Sequence, residues 1–230
     1  MKKTNVFVAL MLSGSLLVMS GCASMSNMGK GTLIGGGAGA ALGAGIGALM
    51  GKGKGAVIGA AIGTAVGAGA GALIGKKMDK QKKELEALQG ARTEEVVDIN
   101  GLKGLKVTFD AGILFKTGKS DLSASAKTAL SQFANSVKNN AQTDILIQGH
   151  TDNTGSDEVN IPLSEKRAAS VNEFIKAQGV NNKVMVAGLG STKPVADNTS
   201  SAGKTLNRRV EVYISANEEM IKSAEAGTLQ

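Results

Sequence analysis

The 230-residue chain has no tryptophan, one tyrosine and five phenylalanines, so aromatic core material is scarce. A single cysteine excludes an internal disulfide framework. With only one histidine beside it, the chain falls short of the His/Cys set a zinc site normally draws on. No G-x-S-x-G elbow of a serine hydrolase occurs anywhere. Long Lys/Arg runs and aromatic–basic interleaving are also missing, which argues against nucleic acid as a partner. Net charge is +7 for the whole chain and +5 without residues 1–21, which hold Lys2 and Lys3 and no acid. A mildly basic chain of this kind suits anionic headgroups or a polyanionic wall.

What is present begins with a basic "MKKTN", an apolar stretch from Val6 to Met19, and small Ser20 and Gly21 before Cys22. The stretch is short for a membrane span and precedes a small-residue cleavage site, so residues 1–21 read as a secretory signal. "MSGC" resembles the bacterial lipobox, in which the cysteine thiol is lipidated and becomes the mature N-terminus; Met19 stands where leucine is usual. The alternative, an exported protein with a free thiol at Cys22, is chemically awkward in an oxidising compartment. Residues 22–30 form the tether. They carry no acidic cluster, and Ala23 rather than aspartate follows the cysteine, so a domain facing the periplasm from the outer membrane is expected.

Residues 31–75 place glycine at every fourth position without a break, and a large aliphatic precedes most of them: Ile34, Leu42, Ile46, Met50, Ile58, Ile62, Val66 and Ile74. On a helix this makes a glycine groove beside an aliphatic ridge. Each interior glycine costs a helix roughly 1 kcal/mol relative to alanine, so the block must pack against itself, other copies or lipid. "GKGKG" splits it into uncharged stretches of about 19 and 21 residues, bracketed by lysines. A helical hairpin in the bilayer is the leading expectation, a low-complexity spacer the alternative. The ladder also offers a surface for a homo-oligomer or pore. Neither stretch holds a carboxylate, which argues against a proton-driven motor. Residues 76–92 then read as a polar, solvated linker.

Beyond residue 93 the periodicity is that of a globular domain, to about 216, with 217–230 a flexible tail. Asn100–Gly101 between apolar runs signals a hairpin. Leu105, Val107 and Phe109 alternate as on a strand; Ala126, Leu130, Phe133, Ala134 and Val137 share a helix face. A strand over 143–148, a helix from Glu158 to Ala177 ending at Gly179, a strand in "NKVMVAG" and a last one with Val210, Val212 and Ile214 complete the pattern. The fold class is a two-layer α/β (α+β) sandwich: a βαβαβ-type mixed sheet with helices on one face.

The one histidine lies in "GHTDNTG", 149–155, at a strand end. His150 and Asp152 have no third partner marked in sequence, "DNTGSD" lacks EF-hand spacing, and "GKT" at 203–205 lacks the first glycine of a phosphate loop. Catalysis is therefore not expected, nor a cofactor or metal. A turn through Asp152, Asn153 and Gly155 would hold the aspartate in a fixed place. Arg167, in "NIPLSEKRAASV", sits on a helix whose other face is apolar. The two either converge on an open cleft or simply pair with each other.

"GHTDNTG", "NIPLSEKRAASV", "GLGSTKPVADN" and "NRRVEV" together resemble the OmpA-like peptidoglycan-binding domain, from about Leu105 to Ile214. With the ladder and lipobox, the chain is similar to glycine-zipper, OmpA-family lipoproteins of Gram-negative outer membranes. The resemblance implies non-covalent capture of meso-diaminopimelate in the peptidoglycan stem peptide, with Asp152 taking the ammonium and Arg167 the carboxylate, and Thr151 and Asn160 adding hydrogen bonds. It implies that His150 shapes the turn, and that Asn207, Arg208 and Arg209 pair structurally. Lys116 stands where many relatives carry an acid and Lys204 where arginine is commoner. The expected partners are the wall and outer-membrane lipid.

Overall fold

The structure, a computed structural model, describes residues 66–230 apart from Ile99 and Thr117. The expected signal segment, Cys22, the tether and the ladder up to residue 65 lie outside the described residues. Six helices and five strands follow in the order α1 (Ala68–Glu86), β1 (Ala91–Val97), β2 (Lys103–Asp110), α2 (Ala111–Leu114), α3 (Ala124–Lys138), β3 (Thr143–Gly149), α4 (Asp157–Ala177), β4 (Val184–Gly188), α5 (Ser201–Asn207), β5 (Arg209–Ala216) and α6 (Glu218–Glu225).

The strands form one mixed sheet in the order β1-β2-β5-β3-β4. Only β3 and β4 run parallel, joined through α4; the other neighbours are antiparallel. Period-two alternation decides which side is apolar. Leu105, Val107 and Phe109 of β2, Ile145 and Ile147 of β3, and Val210, Val212 and Ile214 of β5 all point to the helical layer and are fully buried. Phe133 of α3 meets Phe109 edge-on, with centroids 5.9 Å apart. The expected two-layer sandwich is the fold observed. The hairpin at Asn100–Gly101 is there too, but as a longer loop in which the Asp98 carboxylate accepts from the backbone N–H of Asn100 and Leu102.

Three expectations need correction. Residues 76–92 are not a solvated connector. Helix α1 continues across the end of the ladder and docks on the domain with Ala70, Ile74, Met78, Gln81 and Leu85, one residue per turn. Ile74, Met78 and Leu85 lose all solvent exposure, which stabilises by ~2 kcal/mol each on area grounds. The stripe was hidden because its flanks are lysine and glutamate and one of its members is glutamine. The ladder's last turns, from Ala68 to Gly75, consequently belong to this helix rather than to a hairpin ending at 75. Among the described residues no helix is long and apolar enough to cross a membrane.

Nor are residues 217–230 a loose tail. The Asn217 side chain caps α6 by accepting from the Met220 N–H at 2.9 Å. Met220, Ile221 and Ala224 then join the core cluster that also holds the α1 stripe, and Lys77 of α1 donates to the Gln230 carbonyl.

Candidate functional site

The site forms where β3 ends. Two glycines opposite one another in register, Gly149 of β3 and Gly188 of β4, let α4 settle directly onto the strand ends. A Cβ on Gly149 would lie within 2.0 Å of the Ser164 carbonyl oxygen, and one on Gly188 within 2.5 Å of the Glu165 nitrogen. That close approach brings Arg167, one turn beyond Ser164, to the level of the loop that follows β3.

The loop is tied down residue by residue. The His150 N–H donates to the Arg209 carbonyl and the Thr151 N–H to the Gly190 carbonyl. Asp152 then turns back on itself, its Oδ1 accepting from the Thr154 N–H at 2.8 Å. Asn160, on α4, is buried and spends its amide on the turn, donating to the carbonyls of Thr154 and Gly155. Thr151 is buried with its hydroxyl unpartnered among the described residues. Asn160 therefore braces the loop, while Thr151 keeps a spare hydroxyl beside Asp152.

Asp152 and Arg167 do come to one place, but they do not pair. The partner of Asp152 is Arg208, whose Nη1 lies 2.5 Å from Oδ2 and whose Nη2 donates to the Thr205 hydroxyl at 2.8 Å. Burial alone would raise the Asp152 carboxyl, yet the bonds from Arg208 and Thr154 outweigh it and hold it below the ordinary aspartate value. Arg167 is 4% exposed. Its Nε donates to the Lys119 carbonyl at 3.0 Å, and its guanidinium lies over the Phe115 ring, 5.3 Å from the centroid. Burial lowers its proton affinity, the charge of Arg208 adds to that, and Asp152 partly offsets both. Two guanidiniums thus flank one carboxylate, leaving a local surplus of positive charge. Lys204 adds to it, donating to the Thr154 hydroxyl at 3.3 Å.

Sequence reasoning missed the part played by "FKTGKSDL". Its Phe115 and the Lys119 carbonyl are what hold Arg167, while Lys116 and Lys119 themselves are exposed. It also grouped Arg208 with its neighbours. Asn207 and Arg209 do pair structurally: Asn207 clamps the 195–198 loop, and Arg209 binds Glu211 at 2.7 Å and the carbonyls of Asn207 and Lys193. Arg208, the extended C-cap residue of α5 just ahead of β5, turns instead to Asp152 and Thr205.

His150 is 1% exposed and sits on the sheet face away from the helices, its Nε2 3.6 Å from Glu211. Glu211 also accepts from the Tyr213 hydroxyl at 2.7 Å. Burial lowers the imidazole below its ordinary range, against the pull of Glu211. It contributes to a buried polar network rather than to the site surface. No cluster of metal-ligating side chains exists among the described residues.

Residues 114–208 match the OmpA family and residues 1–79 the YMGG-like Gly-zipper. The Peptidoglycan-binding protein ArfA of Mycobacterium bovis is 41% identical over 86 residues, 37% of this chain and 26% of that protein. The Outer-membrane lipoprotein YfiB of Pseudomonas aeruginosa is 33% identical over 115 residues, 50% of this chain and 68% of that protein. A crystal structure of a MotB-like protein from Desulfovibrio vulgaris shares the fold, with a TM-score of 0.55 and 21% identity over 64% of this chain and 96% of that one. The chain spans from 26% to 57% of the length of the first curated relatives it matches. With Asp152, Arg167 and Arg208 all inside or at the edge of the matched segment, the chain belongs to the OmpA family and carries a Gly-zipper segment ahead of its OmpA domain.

Proposed function

We propose that this chain is an outer-membrane lipoprotein that ties its membrane to the cell wall by gripping peptidoglycan without chemical turnover. The ligand is the free end of meso-diaminopimelate in a stem peptide. One observation carries the reading: a fixed carboxylate and a separately held guanidinium lie within electrostatic reach of each other without pairing. A zwitterionic amino acid needs an anion for its ammonium and a fork of donors for its carboxylate. Asp152 supplies the first; Arg167, braced on Phe115 and Lys119, supplies the second bidentately, as lysine would not. Arg208 keeps Asp152 ionised and so ready to take the ligand's ammonium. At the other end, acyl chains on Cys22 and the glycine ladder hold the membrane, since one chain alone gives only reversible binding. Many copies on a repeating polymer turn weak single sites into a firm attachment.

The test is co-sedimentation of the full chain, in detergent micelles, with purified diaminopimelate-type sacculi. Wild type is retained; Asp152→Ala and Arg167→Ala, folded by circular dichroism, stay in the supernatant. Retention of both variants rejects the assignment.

A second reading has one observation in its favour. An added Cβ at Gly67 or Gly75 of the ladder's last turns would meet nothing within 4 Å among the described residues, and one at Gly71 only the Leu102 side chain at 3.9 Å, so the glycine column leaves room beside the docked aliphatic stripe. Self-association along this groove gives a homo-oligomer positioned by the wall domain. Crosslinking in membranes followed by sizing separates a discrete assembly from a monomer.

A further inference from the structure

Helix α1 buries one side against the domain, and the side it leaves to solvent is basic. At ~100° per residue, Lys76, Lys80 and Lys83 fall within an arc of roughly 60°, opposite the buried stripe of Ile74, Met78 and Leu85. All three lysines are exposed. Among the described residues no carboxylate lies within salt-bridge reach of any of them. The acids of α1 sit on its shoulders and are engaged there. Asp79 accepts from Lys103 at 2.6 Å, Glu84 accepts from the Ser136 hydroxyl at 3.0 Å, and Glu86 lies 3.6 Å from Lys82. The outward line of charge is left without a partner inside the domain.

Toward the N-terminus the same arc turns apolar. Gly69 and Ala72 are exposed, and Leu73 is 37% exposed, a large aliphatic left in water just ahead of the lysines. These residues end the uncharged run 55–75, so α1 carries the ladder's sequence into the domain within one helix. An apolar segment followed by lysines at helical spacing suits a headgroup layer, where the aliphatic dips below and the lysine stems reach phosphate. The place of α1 in the fold agrees. Its first turns lie at the α6 end of the domain, with an added Cβ on Gly71 reaching the Leu102 side chain and Lys77 donating to the Gln230 carbonyl. Strand register pairs Leu105 with Ile214 and Asp110 with Arg209. Arg208 and its partner Asp152 are therefore at the opposite end of these strands, roughly 20 Å away at ~3.4 Å per residue.

We propose that the outward line of α1 is a contact surface for anionic phospholipid headgroups, with Lys76, Lys80 and Lys83 on phosphate and Leu73 in the acyl boundary. The proposal rests on the membrane end of the lipoprotein reading and adds to it. The wall domain is seated against the leaflet by α1 rather than hung on a loose tether. A polyanionic wall would match the lysines but leave Leu73 and the end of the ladder in water, so lipid is the better occupant.

The chain has no tryptophan, and Ala87 is exposed on the same line. Ala87→Trp therefore gives a single reporter, roughly 17 Å along the helix from Lys76. The full lipidated chain is added to vesicles whose headgroups carry a nitroxide quencher, either neutral or with about 30% phosphatidylglycerol. The tryptophan is quenched in anionic vesicles at ~0.05 M salt, and the quenching is lost at ~0.5 M salt. It is also lost in neutral vesicles and in the Lys76→Gln, Lys80→Gln, Lys83→Gln triple variant, which keeps its melting temperature. No quenching in anionic vesicles overturns the proposal, as does quenching that persists in neutral vesicles or in the triple variant. Flotation with the vesicles but without quenching leaves the lipid anchor standing; a chain that does not float sinks the anchor as well. Sacculi retention of the triple variant stays at the wild-type level. Its loss, with no quenching, assigns the lysines to the wall polymer and overturns the lipid contact.

Discussion

Helix α1 meets the sheet through Ile74, Met78 and Leu85, all without solvent exposure, while the loop after β3 meets its surroundings through Thr151, Asp152 and backbone carbonyls. The first region is held mainly by apolar area, with polar contacts such as Lys103–Asp79 and Ser136–Glu84 at its rim. The second is held by hydrogen bonds that each fix one atom. Apolar area is indifferent to which aliphatic supplies it, so α1 and α6 can be written in many sequences, and both lie largely outside the segment that matches the OmpA family. A carboxylate aimed at one point needs particular residues around it, and those fall within 114–208. Stability and recognition are thus placed at different parts of the molecule, and variants should separate them.

The largest effect should come from the apolar region. A chain beginning at residue 91 leaves the inner face of β1 and β2 uncovered beside α6, and it should fail to give a cooperative thermal transition. Leu85→Ala in the intact chain should cost about 2–5 kcal/mol by chemical denaturation, with stem-peptide affinity unchanged. A cooperative, fully stable truncated domain would show that α1 is only resting on the surface.

Next comes the network on the opposite sheet face. Glu211 is 4% exposed and is bound by Arg209 and Tyr213 with His150 beside it. Glu211→Ala strands the Arg209 charge and should destabilise by about 3–5 kcal/mol in the same denaturation experiment.

The smallest effect is a pH slope. In the unfolded chain His150 titrates near its ordinary value of 6.5, and burial lowers it in the fold. As pH falls below that ordinary value the unfolded chain binds the proton first, so stability present at pH 7 is lost as pH descends toward the folded value. The melting temperature should fall between pH 7 and 5, and His150→Phe should flatten that slope. Asp152 and Glu211 also titrate low in the fold, but their losses come only below about pH 4.5.

The globular half was legible because its signals are periodic. Leu105, Val107 and Phe109 alternate, the α3 face repeats at helical spacing, and Gly179 stops α4 where the apolar pattern ends. Asp152 and Arg167 were singled out through motif resemblance, and the structure holds them within electrostatic reach of each other, each bonded to a different partner. The surroundings of His150 were not: its partner Glu211 is 61 positions away, and sheet pairing rather than sequence spacing makes them neighbours. Arg208 was misjudged for a related reason, since two adjacent arginines look alike in sequence although the first is the C-cap of α5 and the second opens β5. The α1 stripe escaped notice because one apolar residue per turn is faint among lysines.

The central claim is that Asp152 and Arg167 each hold one end of a zwitterion. Its most direct measurement is the affinity of the full chain, in micelles, for a stem tripeptide ending in meso-diaminopimelate, compared with Asp152→Asn and Arg167→Lys. Both substitutions keep size and polarity, yet each should weaken binding at least about tenfold, one through lost charge and one through the lost fork. Melting temperatures should stay within about 2 °C of wild type. Wild-type affinity in either variant would contradict the account.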